Sequence, residues 1–181
     1  KAEPKWVIQQ GARLVIGQNS FTRSNPISSQ KVIGAAGGVA VGGDVLVIAE
    51  GNRIGATPIN NRVLIYKNLS GFIPEPEAEL PQGGPQGFCP ACVGLADVVV
   101  GQENFDPPYL DGTLNGRMKA PSGVATDGTR LAVADTNNNR VLLWHTMPQV
   151  NGTPPNVVLG QADLTDNLAR TTAIGMRGPQ G

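Results

Sequence analysis

Charge is scarce in this 181-residue sequence: Asp, Glu, Lys and Arg make up 15%, and 14 basic residues balance 14 acidic ones. A neutral chain has no global field to draw in nucleic acid or an anionic membrane, so neither is expected as a partner. Aromatics are only 4%, histidine occurs once and cysteine twice. Zinc at the two cysteines would need two more ligands, and one histidine cannot supply them. No apolar run approaches the roughly 18–20 residues of a membrane span. No signal peptide stands at Lys1, as expected of a chain that has lost one or of a fragment.

Glycine and proline are abundant, with 24 and 15 residues, and the apolar content is dominated by Val, Leu, Ile and Ala. This mixture predicts many short strands joined by turns. The apolar runs are regular and strand-sized, which sets the chain apart from disordered sequences.

The chain repeats itself. Leu14-Val15-Ile16-Gly17-Gln18-Asn19-Ser20-Phe21 matches Val98-Val99-Val100-Gly101-Gln102-Glu103-Asn104-Phe105 and Val157-Val158-Leu159-Gly160-Gln161-Ala162-Asp163-Leu164. The segment from Gly38 to Glu50 aligns without gaps to that from Gly123 to Asp135, and Asn61-Arg62-Val63-Leu64-Ile65-Tyr66 aligns to Asn139-Arg140-Val141-Leu142-Leu143-Trp144. From Gly17 to Gly38, from Gly101 to Gly123 and from Gly160 to Gly181 the separations are 21, 22 and 21 residues. Near-constant spacing of this kind marks a repeat architecture. Each unit predicts four strands: Gly-Val-Ala, a run after a Gly-Asp or Asp-Gly turn, a run from Asn-Arg-Val, and the aliphatics before Gly-Gln. The second run is continuously apolar, as in a strand buried on both faces.

Four antiparallel strands per repeated unit describe a propeller blade. Residues 121–141 read Pro-x-Gly-Val-Ala-x-Asp-Gly-x-x-Leu-x-Val-Ala-Asp-x-x-Asn-x-Arg-Val, which resembles the NHL repeat. Residues 36–63 carry the same pattern with Glu50 in place of Asp and a longer stretch before Asn61. Leu-Trp-x-x-x-Pro and Val-Leu-Gly-Gln further downstream resemble a bacterial branch of secreted NHL-like propellers. The resemblance implies an all-β fold, a β-propeller of four-stranded antiparallel blades, with about six blades in the complete ring.

On this reading residues 1–11 are a lead-in and 12–22 the outer strand of a neighbouring or closing blade. Residues 36–105 are one blade with a long insertion at 69–95, 121–165 are a second, and 176–181 begin a third. Two blades do not close a ring, so the chain is expected either to be part of a longer protein or to close its ring with other subunits. Alone it would expose apolar strand edges and one apolar blade face.

Several residues carry chemistry worth following. Glu50 and Asp135 end the second strand at matching positions, where a carboxylate could bind a ligand or pair with Arg62 and Arg140. Recurrence favours the structural role. The run Asp135-Thr136-Asn137-Asn138-Asn139 offers oxygen ligands of the kind Ca²⁺ takes, but lacks the Gly and distal Glu of an EF-hand loop, and tight-turn chemistry accounts for it. No cofactor or metal site is therefore expected, calcium being the one ion the run raises; Asp135, Glu50, Asn137 and His145 are the candidates for contact with a bound ligand, with no catalytic set among them. The three Gly-Gln pairs suggest a bend out of the strand with the amide bonding turn backbone, while Phe21, Phe105 and Leu164 pack under the following loop. Cys89 and Cys92 leave open a disulfide loop or a redox dithiol; a disulfide is favoured and implies an oxidising compartment. A haem attachment is excluded because Val93, not His, follows Cys92. Asn68-Leu69-Ser70 and Asn151-Gly152-Thr153 match glycosylation sequons, which matter only in a secreted eukaryotic protein.

Three functions compete. The expected one is a non-catalytic binding or scaffold propeller acting in protein or ligand recognition outside the cytoplasm, in the extracellular space or periplasm. In that case the 69–95 insertion is the natural recognition loop. The alternatives are a metal-dependent lyase or hydrolase with its site in the channel, as in the NHL-type amidating lyases the fold resembles, and a structural subunit assembling through open blade edges.

Overall fold

The computed structural model describes residues 12, 14–21, 27–51, 60–74, 94–106 and 116–181. They form two four-stranded antiparallel sheets. The first contains β1 (Ala36–Gly42), β2 (Val45–Gly51), β3 (Asn61–Lys67) and β4 (Val98–Val100); the second contains β5 (Gly123–Thr126), β6 (Leu131–Asp135), β7 (Arg140–Trp144) and β8 (Val157–Leu159). Strands follow one another across each sheet in chain order. Short 3-10 turns, Leu69–Gly71 and Thr136–Asn138, follow β3 and β6. No helix among the described residues is long and apolar enough to cross a membrane.

The strands fall where the repeats predict them, and their pairing matches. Leu46 lies opposite Tyr66 and Glu50 opposite Arg62 in the first sheet; Leu131 lies opposite Trp144 and Asp135 opposite Arg140 in the second. The first hairpin of each sheet turns through a glycine of positive φ, Gly43 or Gly128. Residues 14–16, aligned by sequence with β4 and β8, form no strand among the described residues. The insertion at 69–95 is described only at its two ends. Cys89 and Cys92 lie outside the described residues, as do residues 1–11.

Side chains alternate across a strand, so each sheet has two apolar faces. In the first sheet Val47, Ala49, Val63, Ile65, Val98 and Val100 share one face. This face packs against Leu131, Val133, Leu142 and Trp144 of the second sheet to form the main core. Leu46, Ile48, Leu64, Tyr66 and Val99 form the opposite face, covered by Ile16, Ile33, Leu69 and Phe105. In the repeat alignment Leu131, Val133, Leu142 and Trp144 are the counterparts of Leu46, Ile48, Leu64 and Tyr66. The two sheets therefore pack front to back, joining non-equivalent faces.

The front of the second sheet, made by Ala132, Ala134, Val141, Leu143, Val157 and Leu159, is less covered. Burial alternates along β6 and β7, whereas in β2 and β3 it is nearly continuous. The expectation of a second strand buried on both faces holds for Leu46–Ala49 and only on one face for Leu131–Ala134. The first sheet has the second against its front, and among the described residues no sheet lies against the front of the second.

Close backbone contact between units is made at glycines. A Cβ on Gly38 would lie 2.7 Å from the Ser122 carbonyl oxygen, and one on Gly123 would lie 2.6 Å from Cα of Gly181. Gly38, Gly123 and Gly181 open successive repeats. The contact from the first unit to the second is thus made again from the second unit to the segment that follows it.

Candidate functional site

Glu50 and Asp135 have no exposed surface, and each is paired to the arginine opposite, Glu50 to Arg62 at 2.6 Å and Asp135 to Arg140 at 2.8 Å. The surrounding bonds repeat as well. The other Glu50 oxygen accepts from the Gly34 N–H at 2.6 Å and the Asn60 side-chain amide at 2.8 Å. Asp135 accepts from the Lys119 N–H at 2.7 Å and the Asn138 amide at 2.9 Å. Gly34 and Lys119 each stand four residues before the glycine that opens the unit, and Asn60 and Asn138 each precede Asn-Arg. Arg62 Nη1 donates to the carbonyl of Phe105, and Arg140 Nη1 to that of its counterpart Leu164, both at 2.7 Å. Arg62 Nη2 reaches the Val32 carbonyl at 3.2 Å, and Arg140 Nη2 reaches that of Arg117 at 2.7 Å. Val32 and Arg117 are again equivalent positions.

Each acid–arginine pair therefore ties three pieces of backbone together: the lead-in to the first strand, the second hairpin, and the exit from the fourth strand. Burial pushes the Asp135 carboxyl above its ordinary value, opposed by Arg140, the Lys119 N–H and Asn138. This is the structural role that recurrence favours, and it occupies both oxygens of the two acids. Asn137 is exposed on the 3-10 turn after β6. His145 is exposed at the end of β7, its N–H donating to Asn156 at 2.8 Å. His145 and Asp127 line a shallow hollow of about 400 Å³; the structure does not bring Asn137 or Glu50 to it. Among the described residues no group of three or more His, Cys, Asp or Glu is placed to hold a metal ion.

The Gly-Gln pairs also recur in geometry. Gly17, Gly101 and Gly160 have φ of 90°, 88° and 87°. A Cβ there would strike Ile33, Met118 and Met176 respectively, which all stand five residues before the glycine of the following unit. Each glutamine donates to backbone: Gln18 to Ile33, Gln102 to Asn104, and Gln161 to Asn139 and Leu168. Phe105 and Leu164 pack on the apolar clusters as expected, while Phe21 is 45% exposed.

Two features escaped the sequence reading. Asn61 accepts the Ala120 N–H at 2.7 Å, and Asn139 accepts the equivalent Gly178 N–H at 2.9 Å. This asparagine links each unit to the next lead-in, and the only sign of it was its recurrence before Arg. The other is a cavity of about 310 Å³ between loops of the two units, lined by Gly101, Gln102, Glu103, Arg117, Pro154 and Leu164 among others.

No protein-family model matches the sequence, and no curated protein matches it.

Proposed function

We propose that this chain forms consecutive blades of a β-propeller of the NHL-repeat type and serves as a non-catalytic binding or scaffold module outside the cytoplasm. The observation that carries the reading is the front-to-back packing of the sheets. A contact between two different faces of a repeated unit propagates, and it closes into a ring when the rotation per unit allows. The second unit offers the front face by which the first unit holds it. The glycine contact and the asparagine link are both made again to residues 176–181. A scaffold role is supported by the use of the recurrent acids, arginines and glutamines as backbone ties. The secreted setting rests on the Cys89–Cys92 pair and the resemblance.

Electron microscopy of the purified protein, alone and at high concentration, tests the architecture. Ring-shaped particles with a central hole support it, and stacks of parallel or face-to-face sheets oppose it. Metal analysis tests the scaffold role, because one tightly bound ion per chain would favour the channel-enzyme alternative. A structural subunit that assembles with other copies is the second reading, favoured by the partly covered front of the second sheet.

A further inference from the structure

We infer that the second unit carries a seat for a polypeptide turn of the type Met-Pro-Gln-x-Asn-Gly, on its front and along the outer edge of β8, and that the turn it takes is the corresponding loop of a further repeat unit. The inference rests on the front-to-back packing behind the propeller reading, and it names the contact by which the next unit is recognised.

The first unit shows how such a seat is filled. The loop that joins β7 to β8 reaches across to the outer edge of the first sheet. Asn151 Oδ1 accepts the Val99 N–H at 3.0 Å, and the Gly152 N–H donates to the Val99 carbonyl at 2.9 Å. Two bonds to one residue cap β4, which would otherwise present an unpaired strand edge. Gln149 Oε1 accepts from Lys67 Nζ at 2.6 Å. Met147 is buried in the main core together with Val47 and Ile65 of the first front. Gly152 has φ of 69°, a conformation that glycine adopts freely.

The second unit has the counterparts of these groups. Val158 lies opposite Leu142 as Val99 lies opposite Leu64. The Asn156 N–H bonds the Leu143 carbonyl and the Asp97 N–H the Ile65 carbonyl, both at 2.8 Å, so β8 keeps the register of β4. The N–H and C=O of Val158 therefore point out of the sheet edge as those of Val99 do. Residues 116–181 are all described, and among the described residues no group outside the sheet bonds the Val158 backbone. Exposed His145 stands in the position of Lys67, with a ring N–H for a carboxamide. Ala132 and Leu143, the counterparts of Val47 and Ile65, line the hollow of about 400 Å³. That hollow is the place for an apolar side chain in the part of Met147.

Nuclear magnetic resonance of the isotope-labelled full chain, titrated with a head-to-tail cyclic peptide containing Met-Pro-Gln-Val-Asn-Gly-Thr, tests the seat. Cyclisation holds the turn and removes part of the ordering cost. Saturable shifts are expected at the amides of Val158, Leu143 and His145, with slower hydrogen exchange at the Val158 N–H. A peptide with Ala in place of its Asn loses one hydrogen bond and should bind about tenfold more weakly. L143E sets a charge against the incoming apolar side chain and should lower affinity roughly tenfold or more. H145A changes an exposed side chain; it should weaken the original peptide but not one with Ala in place of its Gln. Absence of saturable binding, shifts at Val99 instead of Val158, or equal affinity of the Asn and Ala peptides overturns the inference. Ring-shaped particles without peptide binding overturn it and leave the propeller reading standing. Peptide seated at Val158 in a protein that forms no rings upholds it, and the propeller reading is then the one that fails.

Discussion

Asp135 and Arg140 show how a buried charge can serve a β-sheet without taking part in chemistry. Taking both out of water is expensive, and their mutual attraction offsets this only with well-placed additional hydrogen bonds. Here the additional partners are backbone groups that need a bond in any case, joined by the Asn138 side-chain amide. Asp135→Ala leaves the guanidinium buried without its counter-ion and is expected to cost about 3–5 kcal/mol in urea denaturation. The double replacement of Asp135 and Arg140 by Leu and Met should recover part of that loss; no recovery would show that the backbone ties matter more than the charge. Tyr66 presents the opposite case. Its hydroxyl is buried without a partner among the described residues, and burial, with Glu50 adding to it, holds its pKa far above the ordinary 10.0. Tyr66→Phe removes only that hydroxyl and is expected to raise stability by about 1–2 kcal/mol. At the surface, Asp127 accepts from the Thr129 hydroxyl and from the Thr129 and Arg130 N–H groups, which hold its carboxyl well below 3.8. A depressed carboxylate contributes stability that is complete above its unfolded pKa and is lost as pH falls through the folded one. Wild type and Asp127→Asn should therefore differ in melting temperature near pH 7 and converge at strongly acidic pH.

The strands were legible in the sequence because their signals are local. Apolar runs of strand length, glycine at the tight turn and three copies of the Gly-Gln bend each specify their own piece of backbone. The lead-ins around residues 29–35 and 116–122 were not legible. They have no periodicity, because their task is to present N–H and C=O groups to an acid and an arginine far away in sequence. The candidate site divides in the same way. Recurrence identified Glu50 and Asp135 as structural, but only coordinates show that Val99 and Val158 differ in what reaches their outward backbone groups. The Gly-Gln bend itself can be tested. Gly101 has φ of 88°, and a Cβ there would lie 2.9 Å from the Met118 sulfur. Gly101→Ala should cost about 1–3 kcal/mol in backbone strain alone. Pairing it with Met118→Ala should relieve the collision but not the strain, so the double variant should not regain wild-type stability. Full recovery in calorimetry would mean that the bend tolerates a side chain.

Two sheets of equivalent sequence have different surroundings in this molecule, and that difference sets the behaviour of the whole. Ile65 and Leu143 occupy the same repeat position on the same front face. Ile65 is fully buried against the second sheet, while Leu143 is half-buried. Ile65→Ala removes packing and leaves a cavity, for which about 2–5 kcal/mol is expected. Leu143→Ala has less contact to lose, so dilute protein should lose about 1 kcal/mol or less. Concentrated protein should show the reverse sensitivity. Large exposed apolar patches mark sites where other chains bind, and the front of the second sheet carries the residues equivalent to those the first sheet uses to hold a neighbour. Sedimentation of the wild type over a range of concentrations should reveal association. Leu143→Glu should abolish it while leaving the dilute melting temperature nearly unchanged, since the charge would meet water in the monomer and a sheet in the complex. An isolated chain that stays monomeric at high concentration, or Leu143→Glu protein that still associates, would show that this face does not bring units together.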